Sequence, residues 1–351
     1  MSRILHPLFG RVIGAVASGW SIVDVHLREV DADDRDAVER YAAVDNAVRA
    51  LSPWVHPTTP YRVEMMLRNG WDGEPGRHFL VQAAGEDVGI ASVDTTEYDN
   101  LDLAWVNAAI HPEHRRRGLG TAAFDSVVEV ARGMGRTKLG TDSWDDEPGR
   151  SFAAARGWDL KSTAINRRQH LGELEPGRAD RLYDEALAHV GEYELERIEG
   201  RSPADLLESL AVATAAINDA PLDDLDIEDE VFTGDRVAAY ENAQLASGFR
   251  LYRIIARHRG TGEIAGLTVA TVDTERPAQG HQHDTSVVRA HRGHRLGLWL
   301  KADMMRWLAE TEPQLETIDT WNAESNDHMI GVNERLGYRV MARGLEFQRR
   351  I

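Results

Sequence analysis

Two short segments, Arg115-Arg116-Arg117-Gly118-Leu119-Gly120 and Arg292-Gly293-His294-Arg295-Leu296-Gly297, constrain the fold of this chain more than any other feature. Each follows a run of strand character and opens a run of helical periodicity. A glycine-bearing loop in that context presents backbone N–H groups at a helix N-terminus, a setting that suits a pyrophosphate. The correspondence extends outward from the loops. His114 aligns with His291, Gly157-Trp158 with Gly337-Tyr338, and Thr141-Asp142-Ser143-Trp144 resembles Asp319-Thr320-Trp321. Loop, helix, strand and closing Gly-aromatic turn at matched spacing predict that one half of the 351-residue chain repeats the other.

The rest of the chain supports a division into two units. Ser21 to Val30 alternates as a half-buried strand does, and Asp34 to Leu51 and Tyr61 to Arg68 have helical periodicity. Strands follow at His78 to Ala83, Val88 to Thr95 and Leu101 to Ile110. After the first loop come a helix from Leu119, a strand at Lys138 to Trp144, a short helix near Arg150 to Arg156 and a strand at Trp158 to Leu171. Gly172 to Arg178 reads as a boundary loop and Leu182 to Val190 as a bridging helix. The order then restarts: a strand at Tyr193 to Glu199, helices at Pro203 to Ile217 and Asp235 to Leu245, and strands at Phe249 to Ala256, Glu263 to Val272 and His281 to Val288. Leu296, Trp299, Leu300, Met304, Trp307 and Leu308 form one apolar stripe that reads as core. The expected domains are an N-terminal extension over 1–20, a unit over 21–172, a linker over 173–191 and a second unit over 192–351.

Composition narrows the function. A net charge of −18 opposes nucleic-acid binding, which needs a basic surface, and favours a cationic small molecule as partner. Zero cysteines exclude a disulfide framework and thiolate nucleophiles, and fit a reducing cytoplasm. No run reaches the roughly 18 apolar residues of a membrane span. The apolar stretch Val12 to Ser18 is short, and the segment reads as an extension in preference to a signal peptide. No metal-ligand pattern stands out.

The segment His111 to Gly120 resembles the cofactor loop of the GNAT acyltransferase superfamily, Arg/Gln-x-x-Gly-x-Gly/Ala, and Asn322 to Val340 resembles that family's fourth helix and following turn. The likeness covers nearly the whole chain as two units, as in tandem members among actinobacterial acetyltransferases. It implies an α/β (α+β) fold in which each unit is a mixed, mainly antiparallel sheet flanked by helices. It also implies acetyl-CoA as acetyl donor, bound by Arg115, Arg116, Arg117, Gly118, Leu119, Gly120 and Thr121 in the first unit. In the second, Arg292, Gly293, His294, Arg295, Leu296, Gly297 and Asn326 take that place. The implied reaction is direct acetyl transfer to a primary amine of a small molecule, by a monomer or a homodimer. A non-catalytic acyl-CoA sensor or scaffold is the alternative.

The two units depart from the family pattern differently. The first has the intact loop, but Ala104 and Val106 stand where the family's fourth strand carries its base. Ala153 stands where a tyrosine protonates the thiolate, and Asp146 stands where an asparagine meets the cofactor. The second has Arg295 in place of a loop glycine and Asn333 at the tyrosine position, with Tyr338 and Tyr252 as substitutes. It offers His281 and His283, which period-2 alternation puts on one face, and Asp284, which a bulge would turn inward. That spacing resembles the proton-relaying histidines of serotonin N-acetyltransferase; an exposed polar strand start is the other reading. The expected catalytic set is therefore His281, His283 and Asp284. Asn218 to Glu230 carries seven acids where the family shapes acceptor specificity, so it is either an acceptor-facing segment or a solvated loop.

Overall fold

A computed structural model of the protein describes residues 24–351. The extension expected over 1–20, and Ser21 to Val23 of the first expected strand, lie outside the described residues. The chain divides into two compact units. The N-terminal unit holds residues 24–164, 222–228 and 342–351; the C-terminal unit holds 165–221 and 229–341.

In the first half of the chain the elements are β1 (His26–Glu29), α1 (Arg35–Arg49), α2 (Pro60–Asn69), β2 (Arg77–Ala83), β3 (Glu86–Asp94), β4 (Leu103–Ile110), α3 (Leu119–Gly133), β5 (Lys138–Trp144), α4 (Glu147–Ala155) and β6 (Asp159–His170). Local chemistry starts the helices. Asp34 caps α1 by accepting from the Ala37 N–H at 3.1 Å, and Thr59 caps α2 ahead of Pro60 at its first position. The second half continues with α5 (Arg178–Leu187), β7 (Tyr193–Glu199), α6 (Leu207–Thr214), α7 (Gly234–Ala246), β8 (Phe249–His258), β9 (Ile264–Asp273), β10 (Gln279–Val287), α8 (Leu296–Thr311), β11 (Thr317–Ala323), α9 (Asp327–Leu336) and β12 (Arg339–Arg350). The helix expected over Pro203 to Ile217 is shorter, because 3-10 turns flank it on both sides. At its C-terminal end the Thr214 hydroxyl donates to the Leu210 carbonyl at 2.7 Å, a back-bond that loosens the ladder there.

The sheet of the N-terminal unit runs β1-β2-β3-β4-β5-β12, antiparallel except for the parallel β4–β5 pair. One face packs on α3 through Phe79, Val81, Ala104, Val106, Phe124, Val127, Leu345 and Phe347. The other packs on α1 and α2 through Leu80, Ile90, Ala109, Tyr41 and Val63. The sheet of the C-terminal unit runs β6-β11-β10-β9-β8-β7 and repeats the pattern, with β10–β11 as its parallel pair. The stripe Leu296, Trp299, Leu300, Met304, Trp307 and Leu308 lies in its core, as expected of α8.

Each unit is closed by a strand from the other half of the chain. Gly344 to Arg350 of β12 pair antiparallel with Trp144 to Lys138 of β5, so the C-terminal residues complete the N-terminal sheet. Residues 165–170 of β6 belong to the C-terminal unit, where Arg168 forms a two-pronged ion pair with Asp319 of β11 at 2.6 and 2.8 Å.

The acid-rich segment also serves the other half. Asn218 and Glu230 bond to each other twice at 3.0 Å and close its base, while residues 222–228 belong to the N-terminal unit. There the Lys138 ammonium donates to the Asp226 carbonyl at 2.8 Å, and the Asp226 N–H donates to Gln348 at 2.7 Å. Asn100 pairs with the backbone of Glu228, accepting from its N–H at 2.7 Å. The segment is thus divided: residues 222–228 are held on the N-terminal unit by these hydrogen bonds, while its ends belong to the C-terminal unit, and most of its acids are exposed.

Candidate active site

The two repeated loops have one backbone path. In the first, Arg116 (φ 64°) and Gly118 (φ 79°) are left-handed; in the second, Gly293 (φ 88°) and Arg295 (φ 57°) occupy the matching places. Alternation of ordinary and left-handed residues turns successive N–H groups toward one point, which makes an anion nest. Gly118 and Arg295 are the N-caps of α3 and α8, and neither supplies a side-chain cap, so the first N–H groups of both helices remain available to a ligand. Arg115 and Arg292 also match: each Nε donates to a strand-end carbonyl, Ile110 at 2.9 Å and Val287 at 3.0 Å. These two guanidinium groups brace their loops.

Electrostatics separates the copies. In the second loop Arg292 pairs with Asp219 at 2.6 Å, Arg289 pairs with the same carboxylate, and Arg295 pairs with Glu185 of α5. Two carboxylates therefore stand where an incoming phosphate would want cations. Arg117 of the first loop donates to the Glu113 carbonyl at 3.0 Å and forms no ion pair among the described residues. The first nest is the better anion site.

Each unit also has a split in its sheet beside its loop. The parallel ladder pairs Leu103–Trp105 with Lys138–Gly140 and then ends, although β4 and β5 both continue. Likewise β10 and β11 pair over Gln279–His281 and Thr317–Asp319, then part. Such a gap leaves backbone groups of β4 and β10 for an inserted chain.

A polar cluster lines the N-terminal split on the face opposite α3. The Asn107 amide of β4 donates to Asp142 of β5 at 3.0 Å, and Thr141 bonds to Asn107 at 3.2 Å. Asp142 is 8% exposed, and its second carboxylate oxygen is buried with no hydrogen-bond partner among the described residues. Directly across the strand pair stands Glu346 of β12. Burial pushes the Asp142 carboxyl up to about 7, partly offset by the Asn107 bond, with Asp94 adding like-charge repulsion. Glu346 is also pushed up to about 7, by burial and then by Asp142, against a hydrogen bond from Ser162. His78 sits 3.9 Å from Asp94, and burial holds its pKa below the ordinary value.

In the C-terminal unit, His281 and His283 share the face toward α7. Phe249 stacks edge-on to His281, while Tyr240 (2.5 Å) and Thr271 (3.3 Å) bond to the two ring nitrogens of His283. The register slips between Gln282 and Thr285, which places a bulge at Asp284, and the Asp284 charge helps to raise the Tyr240 pKa. Asn333, at the tyrosine position, is fully buried and accepts from Lys301 at 2.7 Å. Burial lowers Lys301 to about 7, and its ammonium lies 5.1 Å from the buried Tyr338 ring. Tyr252 donates to Glu312 inside the core. Ala153 is core. No tyrosine stands at the thiolate-acid position of either unit.

Asn326 and Asp146 have equivalent jobs: each caps the helix after the split strand, accepting from Met329 at 3.1 Å and from Gly149 at 2.8 Å. Sequence reasoning passed over Asp142 and Glu346. A lone acid inside a buried strand run was the available signal for Asp142, since a buried carboxylate needs a reason. Glu346 carried none, because its neighbour across the sheet comes from the other half of the chain. Among the described residues no group of three or more potential ligands could hold a metal ion, and no helix is long and apolar enough to cross a membrane.

Comparison with known proteins agrees with this geometry. Residues 41–158 match the acetyltransferase (GNAT) family. A mycothiol acetyltransferase from Parafrankia sp. (strain EAN1pec) is 28% identical over 121 residues; the match covers 34% of this chain and 35% of that relative's length. A tandem GNAT protein from the clavulanic acid biosynthesis pathway superposes with a TM-score of 0.78 at 24% identity, covering 93% of this chain and 98% of that one. A GCN5-related N-acetyltransferase from Sphaerobacter thermophilus gives 0.63 at 16% identity, covering 93% and 95%. These structural likenesses establish the fold.

Proposed function

From the premise that this chain is a tandem member of the GNAT acetyltransferase superfamily, we propose that it transfers an acetyl group directly from acetyl-CoA to a primary amine of a small molecule. The reaction is placed in the N-terminal unit. The observation that carries this placement is the pairing of a nest free of opposing carboxylates at Arg116–Gly118 with a polar split at Asn107 and Asp142. Bound there, coenzyme A supplies an activated thioester. The protein's part is to hold the pyrophosphate with backbone N–H groups, to guide the pantetheine arm into the split, and to accept the amine proton. A chain without cysteine supports direct attack by the acceptor in preference to a thioester on the enzyme. The acid-rich residues 222–228 beside this unit support a cationic acceptor.

Calorimetry with acetyl-CoA tests the placement. Gly118→Ala forces a side chain into a left-handed position, at about 1–2 kcal/mol, and should weaken donor binding about tenfold. Arg295→Gly should leave binding unchanged. The reverse pattern moves the donor to the C-terminal unit. There His281, His283 and Asp284 form the second acid–base set, favoured by their common face and bulge. Loss of turnover in His281→Ala and His283→Ala would select it. The absence of a thiolate-acid tyrosine from both units favours a donor-binding protein without catalysis, and acetylation of any member of an amine panel excludes that reading.

A further inference from the structure

We infer that Asp142 takes the acceptor's amine proton at the β4–β5 split, and that Glu346 shares that proton and sets the strength of the base. The inference rests on the proposed acetyl transfer. Four geometric facts carry it. Asp142 stands where the parallel ladder has just ended, two residues past Gly140, its last paired residue. Asn107 holds one of its oxygens at 3.0 Å, and the other is buried with no hydrogen-bond partner among the described residues. Glu346 is its direct antiparallel neighbour, so both side chains leave the same face of the sheet, with Cβ atoms about 5 Å apart. The third shell is acidic as well: Ser162 links the Glu346 site to Asp223 at 2.8 Å.

Asp142 is buried and Glu346 half-buried, and burial together with their mutual repulsion pushes both carboxyls up to about 7, so the pair shares a proton near neutrality. The groups around them reinforce this. Asp94 faces Asp142 from β3, and Asp223 faces Glu346 from the acid-rich segment. His78 on β2 is buried and kept neutral, bonded to Tyr41 of α1 at 3.3 Å. Lys138, on the same strand, is committed to Asp226 and Asp102 at 3.2 and 3.5 Å. Asp142 accepts the proton from nitrogen as the nitrogen–carbon bond forms. The pair gives a proton to sulfur as the carbon–sulfur bond breaks. That proton leaves from Asp142 while Glu346 keeps the other, so proton content is conserved and Asp142 replaces both the base and the absent tyrosine. Asp142 is the catalytic residue, and Glu346, which acts only through it, a positioning residue.

Infrared titration of the ligand-free protein reads the pair directly. A protonated carboxyl band should persist at neutral pH, disappear in Asp142→Asn and shift in Glu346→Gln. In turnover, Asp142→Asn should lower kcat at least a hundredfold while donor Kd stays constant. Glu346→Gln removes a like charge, so the acidic limb of its kcat/KM profile should move to lower pH, with a smaller loss of kcat. The inference is overturned if the wild-type protein shows no protonated carboxyl at neutral pH. Full activity in Asp142→Asn, or an unmoved pH limb in Glu346→Gln, overturns it equally. Failure of the wild-type protein to bind acetyl-CoA in calorimetry instead sinks the proposed function, and the infrared bands still decide whether the proton is shared.

Discussion

Replacing Asp142 with asparagine removes a carboxyl group that titrates at about 7 in the folded chain and at an ordinary 3.8 when unfolded. Between those values the native state binds the extra proton, so wild-type stability falls as pH rises from about 4 to about 7 and levels off above it. At 1.36 kcal/mol per pH unit, the Asp142 contribution is at most about 4 kcal/mol across that window. Asparagine preserves the shape and can still accept from the Asn107 amide, while carrying no charge to desolvate. The variant should therefore match the wild type near pH 4 and exceed it by several kcal/mol at pH 8. Urea unfolding of both proteins from pH 4 to 8 measures the difference; titrations remote from Asp142 cancel from it, and Glu346, which loses a like-charge neighbour in the variant, shifts the gap in the same direction. A wild-type-to-variant gap that stays constant across the range would refute the reasoning, because it would mean that Asp142 is ionised throughout.

Lys301 should show the opposite sign. Its folded pKa lies near 7 and its ordinary value is 10.5, so wild-type stability rises between those pH values, and Lys301→Met should lose its advantage from pH 7 to pH 10 by up to about 4 kcal/mol, measured by chemical unfolding. Arg295→Gly relieves a left-handed arginine and gives up one exposed ion pair, so the melting temperature should hold or rise by a few degrees. Asp219→Asn removes the carboxylate shared by Arg289 and Arg292, and should give the second loop measurable affinity for inorganic pyrophosphate by calorimetry. Ending the chain at residue 341 strips Leu345 and Phe347 from the N-terminal core, and limited proteolysis should then digest that unit first.

Periodicity and repetition were enough to read most elements of this fold. The strands at Lys138 to Trp144 and Tyr193 to Glu199 have the expected bounds, and the α8 stripe is core. The exchange of closing strands was not legible. Residues 159–170 alternate in the same way whichever sheet they join, because alternation encodes a face and not a neighbour. The same limit hid Glu346, whose chemistry depends on Asp142 across the ladder. The acid-rich segment misled for a related reason. Its composition announces solvent, while its backbone carries the hydrogen bonds that hold it to Lys138, Gln348 and Asn100. The loops were legible as a pair, yet the carboxylates that spoil the second come from Asp219 and Glu185, distant in sequence.

Because residues 342–351 close the first sheet, the order of synthesis and the order of folding disagree. A ribosome adding about 5–20 residues per second must make residues 165–341 before the N-terminal unit can acquire its last strand, a wait on the order of ten to thirty seconds. During that interval β5 presents an unpaired edge, which is the kind of surface that recruits wrong partners. The exchange also ties the fate of the two copies together. Deleting either half of the chain removes a strand from the half that remains, so neither unit can be lost without opening the sheet of the other.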